Sequence, residues 1–115
     1  MNTQNLERNA HEWCRMEATS RQLAALAHPA RLSILNQLAA ADACCVKDVV
    51  GRVGLAQSTV SQHIRILVDA GLVTYRANRQ ASAYALDRAA LHALSGEIDA
   101  LFETCCGTGC ERCDR

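Results

Sequence analysis

"VVGRVGLAQSTVSQHIRILVDAGLV", residues Val49–Val73, places two helical patterns on either side of a glycine. Val46, Val49, Val50 and Val53 recur at i, i+3, i+4 and i+7, the stripe of a short amphipathic helix that Gly54 terminates. Leu55 fills the turn. A longer helix runs from Gln57 to Ala70, with Val60, Ile64, Leu67 and Val68 on one face, and Gly71 is its stop. The opposite face carries Ser58, Ser61, Gln62 and Arg65. Together with Gln57, Thr59 and His63 these form a polar set able to donate to phosphates or read base edges. Two helices joined by a tight glycine turn, the second polar on its outer side, match the geometry that lays a recognition helix in the major groove of DNA. Periodicity alone allows an ordinary solvated helix face equally well.

The next residues favour the nucleic-acid reading. "LVTYRA" and "SAYAL" alternate at period two, with Val73, Tyr75, Tyr84 and Leu86 expected inward, and "NRQA" (residues 78–81) closes a hairpin between them. From Gln57 to Arg79 the charges are Arg65, Arg76 and Arg79 against Asp69 alone, whereas from Glu97 to Glu103 all are acidic. A net charge of zero therefore hides a basic reading end. Arg79, at the hairpin tip, is placed to reach a flanking minor groove or a phosphate.

Outside this centre the periodicity predicts helices over residues 5–17, 19–27, 29–41 and 88–104. His28-Pro29 separates the second from the third, and Pro29 suits a first helical turn, where its missing N–H costs nothing. The third is expected to bury Leu32, Ile34, Leu35 and Leu38. Leu91, Leu94, Ile98 and Leu101 form a narrow seam that suits helix pairing across a dimer. The expected fold is mainly α with a small β-hairpin, a winged helix-turn-helix forming a homodimer. Residues 1–104 make that domain, with N- and C-terminal dimerisation helices, and residues 105–115 a cysteine-rich tail.

At 115 residues there is room for one modest core, and with only four aromatic residues that core is thin. No apolar stretch approaches the ~20 residues of a membrane span, and "MNTQNLERNA" is not a leader peptide, so a soluble, cytoplasmic chain with no membrane partner is expected. Seven cysteines in such a chain point away from a secreted disulfide framework and toward metal, metalloid or redox chemistry.

"LAALAHPARLSILNQL", the 49–73 stretch and "YRANRQASAYAL" together resemble the three successive signatures of the ArsR/SmtB family of metal-responsive winged-helix repressors, over about residues 20–87. The resemblance implies a homodimer whose first and last helices form the interface. It also implies a repressor that leaves its double-stranded operator DNA when a thiophilic or divalent metal binds. Asn78 stands where the family usually has a glycine before the wing arginine, and Asn tolerates positive φ nearly as well. The family's C-V-C-D motif is half present: Cys45 matches its first thiol, but Lys47 replaces the second. Cys44 is a substitute for the lost thiol, and Cys14 a contributor from the other subunit. The plain alternative for Cys14, Cys44 and Cys45 is that they are small buried apolar residues.

That alternative does not suit Cys105, Cys106, Cys110 and Cys113, which lie past the seam among glycines and charges. Gly107 and Gly109 let the chain fold back so that these thiols converge. Three thiolates suit trivalent arsenic or antimony, As(III) or Sb(III), as inducer. Four would suit cadmium, lead or zinc, although the vicinal Cys105-Cys106 pair is unlike the separated C-x-x-C pairs of a zinc ribbon. Some arsenite-responsive members of the family resembled carry a vicinal cysteine pair and a third cysteine at the end of the last helix. A rival keeps the repressor and makes the thiols redox or persulfide sensors, for which Cys110-x-x-Cys113 is suited. A thiol enzyme built on the C-x5-R spacing of Cys106 and Arg112 lacks the following helix such a loop needs. A cysteine-rich metal buffer leaves the recognition helix and wing unexplained.

Overall fold

A computed structural model describes residues 3–41, 43–77 and 82–107. In chain order it contains α1 (Thr3–Leu26), α2 (Pro29–Ala39), α3 (Val46–Val53), α4 (Gln57–Asp69), β1 (Val73–Ala77), β2 (Ser82–Leu86) and α5 (Arg88–Cys106). This is the expected winged helix-turn-helix order. None of these helices is long and apolar enough to cross a membrane.

α1 is one continuous helix, not the two expected over 5–17 and 19–27. Ala18, Thr19 and Ser20 at the expected break include neither glycine nor proline, so a change in the apolar pattern there was no reason for the backbone to stop. α2 starts where Pro29 predicts. His28, in an extended conformation, caps it by accepting a hydrogen bond from the Ala30 N–H at Nδ1 (3.0 Å). It ends at Ala39, two residues short of the expected 41.

The core is built on the helix-turn-helix. Ile34 and Leu38 of α2, Val49 of α3, Val60, Ile64 and Leu67 of α4, and Leu72 are all fully or almost fully buried. Leu32, expected inside, is exposed. Gly54 and Gly71 hold the two corners at φ +78° and +79°, a region costly for residues with a Cβ. The Gly54 N–H donates to the Val50 carbonyl (3.1 Å), and the Leu72 N–H to the Leu67 carbonyl (3.0 Å), so both helices end with satisfied carbonyls.

β1 and β2 pair antiparallel, from Val73 opposite Leu86 to Ala77 opposite Ser82. Cys44 adds a bridge on the free edge of β2: its N–H donates to the Tyr84 carbonyl (2.9 Å), and its carbonyl accepts from the Tyr84 N–H (2.8 Å). Val73 is buried, and Tyr84 and Leu86 pack against the core. Tyr75, expected inward, is exposed, with its ring 5.2 Å from that of Tyr84 on the outer part of the hairpin. Tyr75 lies on β1, the outer strand, while the Tyr84 opposite it on β2 packs against the core, so alternation along the outer strand does not imply burial. The tip residues Asn78 and Arg79 lie outside the described residues.

The expected seam of α5 divides. Leu94 is buried, and Leu91 and Ile98 pack against the protomer's own core, so these three belong to the fold and not to a free pairing face. Leu101 (45% exposed) and Phe102 (59%) lie beyond it. α1 likewise buries only Ala25, and leaves Leu6, Trp13 (64%), Met16 and Leu23 exposed. The protomer measures 58 × 38 × 22 Å with a radius of gyration of 17.8 Å. A closed domain of this length is expected near ~13 Å. Parts of the first and last helices therefore stand out from the core, with Trp13, Met16, Leu101 and Phe102 uncovered.

Candidate nucleic-acid interface and thiol site

α4 presents its polar residues as the sequence indicates. Ser58, Ser61, Gln62 and Arg65 are exposed and fall at i, i+3, i+4 and i+7, one stripe along the helix, with Gln57 exposed at its N-terminal end. Val60, Ile64 and Leu67 on the other side are fully buried. The helix is thus anchored by one face and free on the other, the arrangement an element needs to enter a groove. Arg52, in the last turn of α3, and Arg76 on β1 add exposed positive charge beside it. Arg79 lies outside the described residues.

Two of the candidate readers stand apart from that stripe. Thr59 is half-buried, and so is His63, which is engaged within the protein. The Arg31 Nε–H donates to His63 Nδ1 (3.1 Å), and the His28 ring lies 4.5 Å from the His63 ring. Burial, followed by the neighbouring His28 and Arg31, holds the His63 pKa below its ordinary value. The same guanidinium donates through Nη1 to the carbonyls of Ala24 (3.2 Å) and Ala25 (3.3 Å) at the end of α1. Gln22 of α1 donates to the Ala70 carbonyl at the far end of α4 (3.3 Å). Sequence reasoning missed Arg31 and Gln22. The only available signal was a cation set within the apolar pattern of α2, and nothing local in the sequence shows a reach across 32 residues.

The cysteines occupy three different settings. Cys44 is buried beneath the Tyr84 bridge. Cys45 is half-buried at the N-cap of α3, and its Sγ–H donates to the Asp48 carboxylate (3.2 Å). Cys14 is exposed on α1 within the protomer. α5 runs two residues past Thr104, which puts Cys105 (exposed) and Cys106 (half-buried) on its last turn, before Gly107 leaves the helix at φ +67°. Cys110 and Cys113 lie outside the described residues. Among the described residues no three His, Cys, Asp or Glu side chains come together around one ion position.

α1 and α5 are joined at the middle of α5 by Arg15 and Glu97, whose Nη2 and Oε1 lie 2.7 Å apart on the surface. The hydrogen bond to Glu97, reinforced by its charge, raises the Arg15 pKa further. An open groove of about 420 Å³ runs between these helices, lined among others by Met16, Leu23, Glu97 and Leu101.

Comparison with known proteins agrees with this architecture. The family described as bacterial regulatory protein, arsR family, matches residues 28–75, from the α2 cap through the middle of β1. The arsenical resistance operon repressor of Staphylococcus xylosus is 32% identical over 89 residues, 77% of this chain and 85% of that protein. A crystal structure of a "possible transcriptional regulator for arsenical resistance" superimposes with a TM-score of 0.63 at 31% identity, covering 79% of this chain and 90% of that one. The homodimeric winged helix-turn-helix DNA-binding domain Mb0332 of Mycobacterium bovis does so with a TM-score of 0.64 at 28% identity, over 81% and 89%. With the anchored α4, its polar outer stripe and the wing, these likenesses establish that the chain belongs to the ArsR family of bacterial transcriptional regulators.

Proposed function

We propose that the protein is a homodimeric repressor that holds operator DNA through the α4 stripe and the wing, and is released when trivalent arsenic or antimony binds cysteine thiolates at the end of α5. The observation that carries the reading is the vicinal pair Cys105-Cys106 on the last turn of a helix whose neighbouring Leu101 and Phe102 are uncovered. Thiols so placed sit beside the surface on which a second protomer packs. An ion drawing them together with a third thiol, from Cys110 or Cys113, pulls on that junction rather than on the buried core. Two sulfurs on adjacent helical residues point about 100° apart, so closing them on one ion unwinds the final turn, which Gly107 already ends. The relatedness to an arsenical resistance operon repressor supports the same inducer class.

The exposed stripe supports Gln57, Ser58, Ser61, Gln62 and Arg65 as DNA contacts. Arg79 completes the set from the wing. The test is release of the purified dimer from duplex DNA that it has enriched out of a random-sequence pool, with arsenite, antimonite, cadmium, lead and zinc titrated separately. Release at the lowest concentrations by the two metalloids supports the proposal. Preferential release by cadmium, lead or zinc, or release by oxidant alone, replaces it.

A further inference from the structure

We propose that Arg31 is the positioning residue of the recognition helix: through its hydrogen bond to His63 it locks α4 to the α1–α2 corner, so that His63 sets the helix and does not read DNA. The guanidinium is a three-way joint. One N–H holds α4 at His63, and another holds the carbonyls of Ala24 and Ala25, where α1 ends. Gln22 ties α1 to the C-terminal end of α4 at Ala70. The long first helix therefore grips the recognition helix at two places, and of the two ties only that through Arg31 involves a titratable histidine. The proposal does not depend on the inducer.

Its chemistry fixes a direction with pH. His63 accepts from Arg31 at Nδ1 only while neutral. Once protonated it has no lone pair to offer, and it faces Arg31 from α2 and His28 from the α2 cap, both of which disfavour its charge. The end of α1 reaches the joint only as carbonyls. On α4 itself the residues three and four positions away, Thr59, Val60, Ile66 and Leu67, are uncharged. No carboxylate among the described residues is paired with Arg31, His28 or His63. Acidification thus opens the joint and frees α4 to shift against the core.

The test is a double-mutant cycle on the full-length dimer, with duplex DNA enriched by the wild-type protein as the probe. Arg31→Met keeps the apolar stem and removes the fork. It should weaken binding about tenfold at pH 7.5, the scale of one hydrogen bond to a charged group. His63→Leu should weaken it similarly, and the double variant should be no weaker than the weaker single. Part of the wild-type loss of affinity between pH 7.5 and 5.5 should vanish in both single variants. In ring NMR, His63 should titrate below the ordinary histidine range in the wild type and move upward in Arg31→Met. If Arg31→Met does not fold, Arg31→Lys, which keeps the charge but lacks the fork, takes its place in the cycle. Additive losses, unchanged affinity without Arg31, or a pH response identical in wild type and variants would overturn the proposal.

Discussion

Cys44 and Tyr84 exchange a pair of backbone hydrogen bonds (2.9 and 2.8 Å), so the segment leading into α3 is stitched to the second strand of the wing, and the Cys44 side chain is sealed beneath it. This marks Cys44 as a structural cysteine on physical grounds, apart from the cysteines proposed to sense. Cys44→Ser puts a hydroxyl in an apolar site and should cost about 1–3 kcal/mol of stability. Urea unfolding at matched protomer concentration measures it. The variant should still be released from DNA by arsenite; a silent effect on stability together with a lost response would place the thiol in the sensor.

The divided face of α5 predicts two different failures. Leu94→Ala empties a core position and should destabilise the protomer by about 2–5 kcal/mol. Phe102→Asp, at a site already in solvent, should leave the protomer folded. It should prevent dimers by placing an unpaired charge in their interface. Sedimentation of Phe102→Asp as an intact dimer would show that pairing lies elsewhere.

The exposed stripe on α4 makes a prediction about salt. Ser61→Ala and Gln62→Ala should weaken binding without changing stability, since neither side chain is needed by the core. Arg65→Ala should in addition lower the slope of log affinity against log salt by about 0.9, the effect of one lost phosphate contact. An unchanged slope would make Arg65 a solvated cation and nothing more.

His63 also links stability to pH. Its folded-state pKa is lowered, so the unfolded chain binds the proton more readily than the native one. Its contribution is fully present above the unfolded value near 6.5 and is lost as pH falls through the lower folded value. Chemical denaturation from pH 7.5 down to 5 should show this decline, and His63→Leu should flatten that component. A contribution that grew on acidification would contradict the half-buried setting beside Arg31.

How much of this was legible in the sequence depends on the kind of signal. Gly54, Gly71 and Pro29 act locally through φ and a missing donor, so the corners of the helix-turn-helix fall where they were expected. The valine stripe of α3 and the two faces of α4 were legible because a 3.6-residue period reports burial directly. The same period misled at Leu32, Leu91, Leu94 and Ile98, because it shows that a face is apolar and not what covers it. Tyr75 was misplaced for a related reason: alternation continues along the outer strand β1, of which only Val73 is buried. The Arg31–His63 tie and the Cys44–Tyr84 bridge arise from contacts between distant segments, which no periodicity records.

The central claim is that the thiols at the end of α5 sense the inducer. Its most direct test is arsenite-driven release from DNA in the full chain carrying Cys105→Ser and Cys106→Ser together. Serine keeps the size and removes the soft ligand, and both positions lie outside the buried core. The account predicts wild-type affinity for DNA, an unchanged dimer and no release at arsenite concentrations that fully release the wild type. Full release of the double variant would contradict it and move the site to Cys14 and Cys45.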